Sequence, residues 1–546
     1  MKIPIKNISI FLKRYGIFCV VAFAAGLRFL NLGWDSYTFD LHSDELFISQ
    51  YAQGIHFFTN LNPNFWGYHG ALFYILKLTG MAFAFVTGNP WWSQTTSGLT
   101  FAGRYLSAFL STAAVFILFS AAKHIAGKKA GLVTAILAAA SVFLIQTAHF
   151  HVTENYMLFF ESLLILSTLA YFRKGTVRSL FAIAVWFALG VATTKNTSLL
   201  FVIIPLCAVL ARRMDVAEKI KHLIFFGVIS TACLFLATPY TFLHAGEFLA
   251  YSKRLAGDVS GTLLYSWSLQ FKGTDIRFWI PTVFFIFNPF IVFGVIASCV
   301  IGINQFVKRK RFDGYSGSVV FAVLYAAYIG FAYIKFVRYL MPLVPILYIS
   351  SGVFFARLWD RYPNIGKWIT VLAIGASIMW GCLFSTIYLK QHPSVEASRW
   401  MIGTIKPNAI ILRELGNTFL PLTSFPQPFE TVDFDFYATD TEEKMTELSG
   451  ILAGADYMTV SSRRVYQTVM RLSEYPLTSR YYRKLFDGQL GYELAGDYSS
   501  YPTIDPFVVN DDMTEETFAV FDHPHVRIYR NTGKFTQKRL EELLIY

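Results

Sequence analysis

The chain has 546 residues, of which 54% are hydrophobic and 17% aromatic, with only 15% charged and a mean hydropathy of +0.45. Soluble proteins carry about 25% charged residues, so an ordinary soluble globule is excluded. The net charge of +12 does not mark a nucleic-acid binder either, because 21 basic residues fall in short segments before or between apolar runs, a topology signal.

Taken in order, residues 1–14 carry Lys2, Lys6, Lys13 and Arg14, which places the N-terminus on the cytoplasmic side. The first apolar run, about Tyr15–Leu32, has no small-residue cleavage site after it and reads as a retained anchor. An outer segment follows from Gly33, with Asp40-Leu41-His42-Ser43-Asp44-Glu45 in it. Carboxylates beside a bilayer must be hydrated, paired or used. A hydrated acidic loop and a functional site are both open readings of this stretch.

Residues 68–88 are apolar enough to span but contain Lys77 and begin with His69. If they spanned, Lys123, Lys128 and Lys129 would lie outside and the later basic loops would conflict. We therefore expect this segment to lie laterally at the outer surface, within an outer loop 33–97. Further spans are expected at about 98–122, 130–148, 155–172, 179–195, 197–211, 222–239, 279–303, 317–334, 337–356 and 367–388. With the first, that makes about eleven, and the odd number puts the C-terminus outside. A long outer loop covers 240–278. No internal repeat is visible, which weakens a transporter reading.

Residues 391–546 are polar and mixed in charge, and read as a separate extracytoplasmic α/β domain after a transmembrane region 1–390. Short buried strands are expected at Ala409–Leu412, Tyr457–Val460 and Phe518–Phe521, and helices at Val395–Ile405 and Ser461–Leu472. The five cysteines all lie in apolar runs and read as small buried hydrophobes.

The unusual polar residues at membrane depth fall on the outer side: Asp40, His42, Asp44, Glu45, His69, His149, His151, Glu154, Lys195, Lys335 and Arg338. Glu154, beside Thr153 and Asn155, reads either as part of a helix N-terminus or as a site carboxylate facing Asp44. Lys195 and Arg338 read either as cations reaching for the interface or as anion ligands. The histidines lack helix-face spacing, so no metal or other cofactor is expected, although a divalent ion on the acidic pair stays open.

These motifs resemble the GT-C membrane glycosyltransferases that use a lipid-phosphate sugar donor, most of all the protein mannosyltransferase-like and aminoarabinose-transferase-like group. Asp44-Glu45 stands where that group keeps an acidic pair in the first outer loop. Gly67–Tyr74 resembles the lateral helix after it, with Gly70 where a proline is common. Ala192-Thr193-Thr194-Lys195 resembles a turn whose lysine meets the lipid phosphate, and Lys335–Pro345 a recurrent late motif. Glu154 stands where relatives often have Asp, and Phe518–Asn531 resembles tail sequences of the group.

The resemblance implies a polyprenyl- or dolichyl-phosphate sugar as donor and a glycan, lipid or protein as acceptor, with no nucleic acid involved. Lys195 and Arg338, with His69 and Lys335 nearby, would hold the phosphate. Asp44 would be the general base of an inverting displacement, with Glu45 and Glu154 positioning it or the acceptor. Loop 240–278, with Lys253, Arg254, Tyr265 and Trp267, would be a lid. The competing reading is a transporter or flippase of lipid-linked sugars. No Asn-x-Ser/Thr sequon occurs in the outer tail, which favours a prokaryotic plasma membrane.

Overall fold

The computed structural model describes residues 5–36, 38, 41–194, 196–262, 265–309, 315–415, 420 and 428–546, with the backbone alone at 5–14, 196–197, 267 and 302–309. Up to residue 404 it is helical. Six helices are long and apolar enough to cross a membrane: Thr96–Ala139, Thr153–Lys174, Val216–Ala237, Ile276–Ile301, Val337–Arg361 and Ile365–Thr404. Five shorter apolar helices accompany them: Tyr15–Arg28, Ala71–Thr87, Val177–Ala192, Ser198–Ala211 and Ser316–Phe331. Each span expected from the sequence overlaps one of these, two of them sharing Thr96–Ala139, and Ala71–Thr87 is the helix of the segment expected to lie laterally. The pair expected at 98–122 and 130–148 is one 44-residue element broken at Ala126-Gly127, continued by Val142–Ala148. Gly127 has φ 85°, a conformation that glycine reaches at no steric cost, and it sits inside the basic stretch that marked this turn.

Helix ends inside the bundle are satisfied by side chains. Arg28, fully buried, donates to the carbonyls of Ala138 and Ala139 at 2.9 Å each and to Ser111 Oγ at 2.8 Å. These are the last carbonyls of the Thr96–Ala139 helix, which have no partner within it. The Ala71–Thr87 helix stays against the first outer segment. Lys77, near its middle, donates to the carbonyls of Gln53 at 3.1 Å and Ser93 at 2.8 Å.

The segment 240–278 is not the loop expected. It forms helices at Pro239–Leu243 and Ala245–Ser260 and short turns of 3₁₀ helix at Ser266–Phe271 and Ile276–Phe278. A polar amphipathic helix carries no hydropathy signal, so it reads as loop.

The C-terminal domain is a five-stranded mixed sheet of β1 (Ile410–Glu414), β2 (Glu430–Phe434), β3 (Tyr457–Val460), β4 (Tyr492–Tyr498) and β5 (Val526–Asn531) in the order β2-β1-β3-β5-β4. The first three strands are parallel, and β5 runs antiparallel to β3 and β4. Ile411 and Leu412 point to opposite faces, as alternation requires. Ile411 joins Val395 and Met401 of helix Pro393–Thr404, and Leu412 joins Met445 and Leu448 of helix Glu442–Gly454.

The strand expected at Phe518–Phe521 is instead a 3₁₀ turn, Glu516–Phe518, and the bend after it. Its apolar residues belong to the helical region. Phe518 is buried against Phe384 with ring centroids 5.6 Å apart, and Phe521 packs on the same core. A short apolar run flanked by acids looked like a strand because burial alone does not distinguish the two.

Candidate functional site

A cavity of about 420 Å³ lies where one end of the helical region meets the C-terminal domain. Four stretches of the helical region wall it: His42–Phe47, Phe143–Glu154, Ser266 and Phe336–Arg338. Arg464, Thr517 and Phe521 come from the C-terminal domain.

The acidic pair opens helix Ser43–Gln53, and a helix N-terminus favours carboxylates in its first turn. The two side chains have separate fates. Glu45 is fully buried, outside the cavity lining, and clasped by Arg104 through Nε–Oε1 at 2.9 Å and Nη2–Oε2 at 2.8 Å. The backbone N–H of His151 also donates to it, at 2.8 Å. Arg104 adds Asp35 at 2.8 Å and the Leu32 carbonyl at 3.1 Å, and lies over the rings of Phe101 and Trp34. Gly103, next to Arg104, has no Cβ because one would meet the His151 ring at 2.2 Å. Glu45 therefore serves the architecture under the cavity, not its surface.

Asp44 faces the cavity and pairs with Arg338, with side chains 19% and 27% exposed respectively. The buried Tyr68 phenol hydrogen-bonds to Asp44; burial and that carboxylate hold its pKa well above the usual tyrosine range, so it stays a donor. Glu154 reaches the same cavity from the first turn of helix Thr153–Lys174, with Thr153 Oγ1 donating to it at 3.2 Å. His42 is stacked on Phe521 at 4.0 Å, and burial pushes its pKa down to about 4 against the pull of Asp44 and Glu45. It is a neutral ring at ordinary pH.

Arg338 starts a 3₁₀ helix, Val337–Leu343, with Pro342 inside it. The register of that turn is fixed by the C-terminal domain. The Val337 N–H donates to Glu515 Oε2 at 3.1 Å, and the same carboxylate accepts from the Thr517 N–H at 3.0 Å. One acid thus caps two turns, and both capped residues, Val337 and Thr517, line the cavity. Burial pushes its pKa up to about 7. A second anchor is the buried ion triad of His523 with Asp522 at 2.5 Å and Asp511 at 2.8 Å. Asp522 also accepts from Gln146 at 2.9 Å and Tyr388 at 3.0 Å. The two carboxylates overcome burial and raise His523 to about 10, so it is cationic at neutral pH.

The remaining sequence candidates divide clearly. Lys195 and Asp40 lie outside the described residues, as does the Trp267 side chain. His69 is buried away from the cavity lining. Its backbone N–H donates to the Thr194 carbonyl at 3.3 Å and its ring packs on Phe248. Lys335 requires correction as a phosphate ligand. It is 3% exposed and outside the cavity lining, and its ammonium donates to the carbonyls of Ala332 at 2.9 Å, Tyr333 at 3.3 Å and Thr274 at 3.5 Å. Of the lid candidates, Lys253 and Arg254 are exposed on helix Ala245–Ser260, and Arg254 donates to Tyr265 at 3.0 Å; among the described residues of this segment, Ser266 touches the cavity. Among the described residues no group of three or more His, Cys, Asp or Glu is arranged to hold a metal ion.

Arg104, Glu515 and Arg464 were missed. Arg104 sat in the middle of an apolar run and is the one cation in span 98–122, a signal that intramembrane charge rules provide. Glu515 and Arg464 lie in a domain whose docking the sequence does not reveal.

Residues 94–241 match the family model for dolichyl-phosphate-mannose-protein mannosyltransferase. That stretch contains Arg104 and Glu154 but neither Asp44 nor Arg338. A search of curated protein sequences finds no match. Among solved structures, the chain is similar to the oligosaccharyltransferase AglB of Archaeoglobus fulgidus, in complex with an inhibitory peptide and a dolichol-phosphate. The identity is 12%, with 86% of this chain and 73% of that one covered and a TM-score of 0.51. ArnT of Cupriavidus metallidurans in the apo state is similar at 11% identity over 96% of this chain and 99% of that one, also with a TM-score of 0.51. The chain has the GT-C fold of membrane glycosyltransferases. That fold combines the helical region and the C-terminal domain seen here, since the ArnT match runs through both.

Proposed function

We propose that this protein is a glycosyltransferase that moves a sugar from a polyprenyl- or dolichyl-phosphate carrier to an acceptor on the outer face of the plasma membrane, with its N-terminus cytoplasmic and residues 391–546 outside. The observation that carries this reading is the Asp44–Arg338 pair on one partly open cavity, a carboxylate and a guanidinium in contact with each other and both lining that cavity. The dolichol-phosphate held by the similar AglB supports the donor class.

The lipid phosphate is already a stable anion, so its departure needs cations and no strong acid. Arg338 offers a planar fork suited to phosphate oxygens, and Lys195, in the Ala192-Thr193-Thr194-Lys195 motif, is assigned to the same phosphate. When the phosphate takes up the guanidinium, Asp44 gives up its partner and becomes the base. The acceptor oxygen or nitrogen attacks the anomeric carbon as the bond to the phosphate oxygen breaks. Its proton passes to Asp44, and the electron pair leaves with the lipid phosphate, inverting the anomeric centre. Glu154, on the same cavity, positions the acceptor, and Tyr68 holds Asp44 in place.

The test uses purified protein in detergent with a radiolabelled polyprenyl-phosphate sugar. Release of free polyprenyl phosphate in wild type, lost in Asp44→Asn, supports the transferase. Transbilayer movement of an intact donor without its cleavage supports the competing flippase.

A further inference from the structure

The helical region and the C-terminal domain each bring one arginine to the cavity. Arg338 belongs to the end of a membrane helix, where a lipid phosphate arrives. Arg464 stands just beyond the carboxyl end of strand β3, at the start of helix Arg464–Arg471. In open α/β sheets, ligands are bound outside the carboxyl ends of the strands, and here that edge faces the cavity.

Arg464 is built as a fixed donor. Its Nε is held by Glu516 Oε2 at 2.9 Å. The other oxygen of Glu516 accepts from Ser462 at 3.2 Å, and Ser462 Oγ in turn accepts the Arg464 backbone N–H at 3.1 Å. The side chain is 15% exposed and lines the cavity, with its guanidinium 6.0 Å from the Phe521 ring centre. Among the described residues, Nη1 and Nη2 have no hydrogen-bond partner, and they are not among the sealed atoms. A guanidinium pinned from behind by a carboxylate, with its outer N–H groups turned to a cavity, is preorganised for a second anion. Among the described residues, the remaining charges on the cavity are Asp44, already paired with Arg338, and Glu154. A neutral acceptor would leave those N–H groups with water alone.

We propose that Arg464 is an acceptor subsite, and that the acceptor carries an anionic group, phosphate or carboxylate, close to the nucleophile that receives the sugar. This rests on the transferase reading, and it assigns the C-terminal domain a task. The donor phosphate is held from the membrane side by Arg338, and the acceptor anion from the domain side by Arg464. The bond-forming atoms then meet between them, at Asp44.

The test measures equilibrium binding to the full-length protein in detergent micelles. Farnesyl phosphate reports the donor phosphate, and glycerol phosphate and methyl glucuronide report the acceptor anion, with glycerol and methyl glucoside as neutral matches. Each anionic acceptor probe should bind the wild type about 10- to 100-fold more tightly than its neutral match, the range of one charge-assisted partner. Arg464→Gln should erase that preference and leave farnesyl phosphate binding unchanged. Arg338→Gln should do the reverse, and Arg464→Lys should keep part of the preference. Comparing the two anionic probes separates a phosphate-bearing from a carboxylate-bearing acceptor. The proposal is overturned if the anionic probes bind no better than the neutral ones, or if their preference survives Arg464→Gln. Loss of farnesyl phosphate binding in Arg464→Gln would also overturn it and move Arg464 to the donor phosphate. Failure of farnesyl phosphate to bind the wild type, with the acceptor preference intact, would instead count against the donor reading alone.

Discussion

Asp44 and Glu45 are adjacent in one helical turn, and each meets an arginine, yet the two regions they belong to differ in kind. Below the helix, Glu45, Arg104 and Asp35 have fully buried side chains and spend the guanidinium on two carboxylates and a carbonyl. Above it, Asp44 and Arg338 are partly open to a cavity that a ligand can enter. The chemistry of the pairs is the same, and the surroundings decide the role. A sealed pair cannot exchange partners, because breaking it leaves an uncompensated buried charge. A pair at the edge of a cavity exchanges a carboxylate for a phosphate at little cost.

The largest effect should fall on the open pair. Asp44→Asn keeps size and removes the ionised oxygen, so sugar transfer should drop about 10²–10⁴-fold while thermal unfolding in detergent barely moves. Near-normal turnover in that variant would remove Asp44 from the mechanism. The sealed pair should respond the other way round. Glu45→Ala strands Arg104 beside Asp35 alone and should cost about 3–5 kcal/mol of stability, read as a lower unfolding midpoint and poor recovery of folded protein. A stable Glu45→Ala protein that has lost activity would make Glu45 the base and reverse the comparison.

A second buried pairing sharpens the contrast, because its cation titrates. His523 sits between Asp511 and Asp522 where Arg104 sits between Asp35 and Glu45. Its folded value of about 10 lies above the ordinary 6.5. The contact therefore stabilises docking fully below about pH 6.5 and loses its contribution as pH rises through 10. Glu515, raised to about 7 from 4.5, acts with the same sign but in a lower window, while His42, lowered to about 4, acts with the opposite sign below 6.5. Between pH 7.5 and 10 the His523 term stands alone among these. The unfolding midpoint should fall across that range in the wild type and fall much less in His523→Gln. A flat wild-type profile would show that His523 is neutral and the triad purely hydrogen-bonded.

Much of this was legible before the structure. Apolar length and the placement of Lys123, Lys128, Lys129 and their counterparts located the helices, since both follow from bilayer thickness and charge bias. The two residues of the open pair were legible as charges beside apolar runs, although nothing in the order of the chain joins Asp44 to Arg338, 294 positions later. What stayed hidden was docking. Phe518 and Phe521 looked like strand residues because their partners, Phe384 and His42, lie in distant segments. Arg464 and Glu515 looked like ordinary surface charges of a soluble domain for the same reason. Polar helix Ala245–Ser260 was invisible because hydropathy reports burial in lipid, and this helix lies on the outside of the bundle.

The smallest effect separates two cations three residues apart. Lys335 and Arg338 share a motif, and sequence alone gives both to the phosphate. In the structure, the Lys335 ammonium is directed at three backbone carbonyls, and burial lowers its pKa below the usual lysine range. An ammonium has three donors, so none is left for a ligand. Its task is to hold the turn after helix Ser316–Phe331 through the carbonyls of Ala332 and Tyr333 and to tie it to Thr274. Lys335→Gln keeps two amide donors for those carbonyls and discards the charge. Binding of farnesyl phosphate should change less than about twofold, within the ordinary range for a substitution away from a site. The same probe should lose affinity in Arg338→Gln. Equal losses in the two variants would show that the turn opens in solution and that Lys335 reaches the phosphate after all.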